Sequence, residues 1–198
     1  AQGFQGVSGG DAIKAARVYN SAAQSLTTGS ETVLTFNTEN YDTDTIHSTV
    51  TNTGRLTANL AGKYFISGGA QFAANVTGIR QLRIRKDGVT FIGQHKQISA
   101  SATEVTRFTL QTHYDLSATN YVELMALQDS GGALDAQSGL EATWFGMARM
   151  ADTGARPVQT HALPGDRVSF ADGQPLLLTS TASLAAVNDW LREAGDEA

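Results

Sequence analysis

The chain has 198 residues, 41% hydrophobic and 17% charged, with a net charge of −5 and no cysteine. That length fits one ordinary domain with extensions, and the missing cysteines exclude a disulfide framework or a thiolate metal site. No apolar run reaches the roughly 20 residues of a membrane-spanning helix, and a near-neutral first part (residues 1–150, 11 basic and 12 acidic) followed by an acidic one (151–198, 3 and 7) lacks the dominant basic face that nucleic-acid binding needs.

Glycine recurs every third residue in Gly3-Phe4-Gln5-Gly6-Val7-Ser8-Gly9, at the head of a leader spanning residues 1–14. A collagen triple helix demands that period, but two triplets without proline cannot hold three chains together; a flexible leader and a short fibre-joining stalk both fit. The very start, Ala1-Gln2-Gly3-Phe4, has neither the charged nor the apolar region of a secretion signal.

Residues 15–150 read as a run of short strands: 15–20, 32–37, 46–51, 56–60, 63–70, 81–85, 89–94, 106–114, 121–127 and 142–150. Turn residues separate them, among them Thr28-Gly29, Asn52-Thr53-Gly54, Asp87-Gly88 and Ser130-Gly131-Gly132. Many short strands so punctuated predict an antiparallel sandwich or barrel and not a βαβ fold. The clearest hairpin is Leu82-Arg83-Ile84-Arg85-Lys86-Asp87-Gly88-Val89. Its Asp-Gly pair accepts the positive φ angles of a tight turn, and alternation points Leu82 and Ile84 inward, Arg83 and Arg85 outward. The aromatic-glycine strands Gly62-Lys63-Tyr64-Phe65-Ile66 and Trp144-Phe145-Gly146-Met147 supply core aromatics, with Gly62 and Gly146 where a strand turns or meets another backbone closely.

Beyond 150 the chain changes character. Thr153-Gly154-Ala155-Arg156-Pro157 reads as a linker. Ser183 is placed to cap a helix carrying Leu184, Val187 and Leu191 on one face, with Trp190 beside them. Such a short helix is marginal alone, so its apolar stripe predicts docking against something else.

The strand series resembles the globular head of the complement one-q and tumour-necrosis-factor superfamily. Ala16-Arg17-Val18-Tyr19 is similar to the opening strand, and Thr32-Val33-Leu34-Thr35-Phe36-Asn37 to the next apolar one. Tyr41-Asp42 with Thr53-Gly54-Arg55-Leu56-Thr57 resembles a tyrosine–aspartate and TG-x-F-T stretch, Leu56 replacing the aromatic. Gly62-Lys63-Tyr64-Phe65-Ile66 resembles the Gly-x-Tyr-aromatic strand, Lys86-Asp87-Gly88 an Asn-Gly turn, and Thr143-Trp144-Phe145-Gly146-Met147 the terminal strand. Ala118-Thr119-Asn120-Tyr121 lacks the Gly-Asp pair usual at its place. The resemblance implies a homotrimeric jelly-roll β-sandwich that binds and does not catalyse.

Chemistry-bearing motifs are sparse. His47, His95, His113 and His161 fall in no metal-ligating spacing, and there is no nucleophile elbow, phosphate loop or dinucleotide fingerprint. No paired catalytic carboxylates mark a glycan-hydrolysing spike either. Asp42-Thr43-Asp44 and the loop between Asp129 and Asp135 offer hard oxygens of the kind calcium takes, though fewer than its six to eight. The candidate ligand contact is basic: Arg80, Arg83, Arg85 and Lys86, with His95 and Lys96 on the next segment, since guanidinium forks suit carboxylate or phosphate on an anionic polymer.

The expectation is therefore a homotrimeric virion protein, a phage fibre tip or head decoration. It would bind itself, host-surface polymer, and other virion proteins through residues 151–198 or the leader. The alternative is a secreted bacterial or animal binding module of the same fold. Composition argues for the virion: no cysteine and abundant Thr, Ala and Gly.

Overall fold

The computed structural model describes residues 13–98 and 101–150. They belong to one compact unit; residues 151–198, and with them Leu184, Val187, Trp190 and Leu191, lie outside the described residues, as do residues 3–9 of the leader.

Among the described residues twelve strands form: β1 (Ala15–Tyr19), β2 (Gln24–Leu26), β3 (Thr32–Val33), β4 (Thr38–Asp42), β5 (Arg55–Thr57), β6 (Gly62–Phe72), β7 (Ile79–Lys86), β8 (Thr90–Ile98), β9 (Thr106–Leu116), β10 (Tyr121–Gln128), β11 (Leu134–Ala136) and β12 (Trp144–Arg149). They make two antiparallel sheets. The larger runs β2-β11-β6-β12-β1-β4, with β9 also on β6; the smaller runs β3-β10-β7-β8, with β5 also on β10. The chain crosses between the sheets repeatedly, which is the jelly-roll arrangement.

Alternation builds the core. In β6 Tyr64 and Ile66 are buried; from β12 come Phe145 and Met147, and Leu82, Ile84, Val122 and Leu124 face them from the smaller sheet. Phe145 stacks on Phe36 at 5.9 Å and Phe72 on Phe108 at 5.8 Å between ring centroids. Burial raises the Tyr64 pKa, and the hydroxyl donates to the Leu60 carbonyl at 2.8 Å. Gly68 faces tightly packed core side chains. A Cβ there would lie 2.8 Å from Leu124 Cδ2 and 3.0 Å from Phe145 Cδ2. Phe65 and Trp144 lie half-buried on the opposite, outer face, so of the two aromatic-glycine strands only alternate residues enter the core.

The hairpin forms as expected. Asp87 and Gly88 both have positive φ (49° and 71°), and Val89 N–H donates to Lys86 O at 3.0 Å. Asp87 then ties the turn to β10: Oδ1 accepts from Tyr121 N–H at 2.9 Å, and Oδ2 from Asn120 at 2.8 Å and Lys86 Nζ at 2.6 Å. Burial works to raise the Asp87 pKa, but the Lys86 and Tyr121 bonds outweigh it and hold the carboxyl below its ordinary value. A carboxyl so depressed adds stability above its unfolded pKa and loses it as pH falls through the folded one. Asp87→Asn should therefore lower the urea midpoint at pH 7, and the gap to the parent should narrow at about pH 3. An unchanged gap would show that the turn draws nothing from the charge.

Several expectations are corrected. Residues 46–51 form no strand. Asp42 bonds the backbone N–H groups of Asp44 (3.0 Å) and His47 (2.8 Å), and Ser48 Oγ those of Val50 and Thr51. Side chains that capture local N–H groups compete with a ladder. In 32–37 only Thr32–Val33 pairs as a strand, although Leu34 and Phe36 stay in the core. The short β2 and β11, and β4 with its exposed pattern, were not anticipated.

The entry and exit of this unit are neighbours. Ala15 pairs with Ala148 across β1 and β12, and Arg149 N–H donates to Lys14 O at 2.8 Å. The described polypeptide therefore enters and leaves the sandwich at the same pole.

Candidate functional site

The outer face of the smaller sheet holds the charged cluster. Glu123, on the central strand β10, sits in register with Arg55 of β5 on one side and Arg85 of β7 on the other. Its side chain is only 5% exposed, although it points away from the core, because the two guanidinia close over it. Arg85 donates from Nε (3.0 Å) and Nη2 (2.7 Å) to Oε2; Arg55 donates from Nε to Oε1 at 3.1 Å. Arg55 also stacks over the Tyr121 ring at 4.0 Å. Two cations thus share one carboxylate.

The expected basic contact is largely spent inside the molecule. Arg80 is corrected outright: it is fully buried on the inner side of β7, donating to the carbonyls of Thr77 (2.9 Å), Ile79 (2.9 Å) and Asn75 (3.0 Å). Burial lowers its pKa and the charge of Asp129 works against that. Its parity with Leu82 and Ile84 was the signal in the sequence. Arg83 pairs with Glu31 at 2.5 Å and lies over Phe91; Lys86 pairs with Asp87. His95 faces Thr109 O at 2.8 Å and packs on Phe108, and Lys96 is exposed. Sequence reading missed Glu123 and Arg55, which lie 68 residues apart.

Beside Arg55 opens a cleft of about 240 Å³ bordered by Thr45–Ser48, Thr51, Asn52, Thr57 and Tyr121. His47, at its back, is buried, with Nδ1 2.9 Å from Glu39 and Nε2 3.1 Å from Thr53 O.

A second feature lies on the outer face of the larger sheet. Ser67 and Gly146 are cross-strand neighbours there. They floor a depression of about 180 Å³ walled by Tyr41, Phe65, Trp144 and Arg17. Arg17 lies 4.5 Å over the Trp144 ring, and its buried Nε has no acceptor. Phe65 packs on His113 at 5.1 Å.

Asp42 and Asp129 serve local backbone N–H groups, and Asp135 lies in β11. Asp42 caps the loop described above, Asp44 pairs with Lys14 at 2.9 Å, and Asp129 accepts from Ile79 N–H. Among the described residues no three His, Asp or Glu side chains are placed to share a metal ion.

No family model and no curated protein matches the chain by sequence. Solved structures do match its fold. Murine APRIL at pH 5.0 superposes with a TM-score of 0.54 at 8% identity, over 70% of this chain and all of that one. Eiger TNF from S. frugiperda gives 0.51 at 14% identity, over 73% of this chain and 97% of that one. The chain has a tumour-necrosis-factor-like jelly-roll fold.

Proposed function

We propose that the chain is a non-enzymatic binding head that assembles as a homotrimer through the outer face of its larger sheet and acts in an extracellular setting. The observation that carries this is the depression between Tyr41, Phe65 and Trp144. Half-exposed aromatics there surround a floor of small residues, Ser67, Gly146 and Ala148, in the middle of a sheet. Aromatic anchors around a small-residue hollow are what a well-packed protein interface is built from. A closed three-fold ring would also present three copies of any ligand site together, adding avidity without new contacts.

The fold's likeness to APRIL and an insect Eiger TNF supports a binding role over catalysis. A virion setting, with the trimer as a phage fibre tip or head decoration, is the second reading and rests on the cysteine-free, Thr/Ala/Gly-rich composition. Capsid or tail genes beside the coding sequence would favour it; an export signal on the encoded precursor would favour secretion.

Light scattering on the whole chain should give three times 20.9 kDa. Ser67→Arg places a long cation in the depression without touching the core, and should yield monomers with an unchanged far-ultraviolet spectrum. A monomeric parent, or a trimer indifferent to Ser67→Arg, would overturn the proposal.

A further inference from the structure

We infer that the cleft beside Arg55 binds an acidic sugar, a single uronic-acid-type unit whose carboxylate meets the free edge of the Arg55 guanidinium. This deepens the reading of the chain as a binding head; it does not depend on trimerisation.

Charge comes first. The Arg55–Glu123–Arg85 cluster holds two guanidinia against one carboxylate, so one positive charge is left over. Arg85 makes both of its bonds to Oε2 and is the better satisfied partner. Arg55 uses only Nε; its Nη groups have no hydrogen-bond partner among the described residues, and its side chain is 36% exposed. Stacking on Tyr121 fixes the plane of that guanidinium. A fork held in one plane, with donors to spare, is pre-organised for a carboxylate.

The lining comes second. No aspartate or glutamate borders the cleft, and the nearest carboxylates, Glu123 on Arg55 and Arg85 and Glu39 on His47, are already hydrogen-bonded. Its other polar groups are the hydroxyls of Thr45, Ser48, Thr51, Thr57 and Tyr121, the amide of Asn52 and the His47 imidazole. Groups that both donate and accept suit the hydroxyls of a sugar ring. The size, about 240 Å³, falls below the ~300–1,000 Å³ of pockets that take drug-sized ligands, and so suits one ring. The surplus of a single charge matches a carboxylate better than a doubly charged phosphate. The chain as a whole is at −5, so general attraction of anions would not produce the effect.

Isothermal titration of the full chain with glucuronate, glucose and inorganic phosphate tests this. Glucuronate should bind saturably, with glucose and phosphate at least tenfold weaker. Arg55→Gln should weaken glucuronate at least tenfold while leaving the urea midpoint nearly unchanged, because Glu123 keeps its two bonds from Arg85. Arg107→Gln, on the other sheet, removes the same charge and should leave binding as it was. Equal binding of phosphate, equal binding of glucose, indifference to Arg55→Gln, or the same loss in Arg107→Gln would each overturn the inference. The titration is read per chain and molar mass separately, so this site and the trimer can fail independently.

Discussion

Glu123→Ala should lower the unfolding free energy by about 3 kcal/mol, at the low end of what breaking a buried ion pair costs. The carboxylate is almost wholly covered, and three charge-assisted bonds end on it. Without it, two guanidinia on neighbouring strands flank an empty position with like charges. Arg55 and Arg85 are 36% and 23% exposed, so water recovers part of the loss, which sets the estimate at that end. Glu123→Gln keeps an acceptor oxygen and should cost less. Combining Glu123→Ala with Arg55→Gln should recover stability relative to Glu123→Ala alone, since one of the two stranded cations is gone. Urea unfolding of the four proteins checks the series. A drop under about 0.5 kcal/mol for Glu123→Ala, the range of an ordinary surface change, would show that the cluster contributes nothing to the fold.

The second large effect lies at the other end of β7. Gly78 has φ of +75°, and a Cβ there would overlap both the carboxylate and the backbone carbonyl of Asp129. Gly78→Ala should cost about 2–5 kcal/mol, summing a left-handed backbone (about 1–2) and overpacking against a main chain that cannot yield (about 1–3). Gly29→Ala is the matched control. Its φ is +72°, but nothing lies within 4 Å of the added carbon, so only the backbone part should appear. Thermal or urea unfolding of both separates the two contributions. Equal costs would mean that the Asp129 turn shifts freely. Because Asp129 also bonds Ile79 N–H and its charge acts on Arg80, any shift should reach the buried guanidinium.

How far this molecule could be read beforehand depends on whether a strand declares itself by its own side chains. β9 does: Thr106 to Leu110 alternate buried and exposed, and so do the Leu82/Ile84 and Arg83/Arg85 pairs of β7. β4 does not. Its TENYD sequence is almost all half-buried or exposed, and it is a strand only because β1 offers it a ladder. The loop through residues 46–51 misled in the opposite sense, since Ile46 and His47 are buried by a capped turn and not by a sheet. The charged site is harder still. Arg85 stood out as a basic residue, but the partner that defines it, Glu123, sits inside an apolar run and meets Arg55 only through the register of β5 on β10. Periodicity reports which face a side chain takes. It carries no information on which distant strand lies alongside, and the cluster lives on that second fact.

The adjacency of the two ends has a mechanical meaning. β1 and β12 run antiparallel as direct neighbours, and the polypeptide arrives and departs at the same end of that pair. A pull applied between leader and tail would load the ladder one rung at a time, Ala15–Ala148 first, and peel β1 away as a zipper opens. A pull on one end alone, resisted at the far pole, would instead load the rungs together. A head strung between two attachments that are drawn apart would thus give way at low force, whereas one held at this pole and pulled from the other would withstand a greater load.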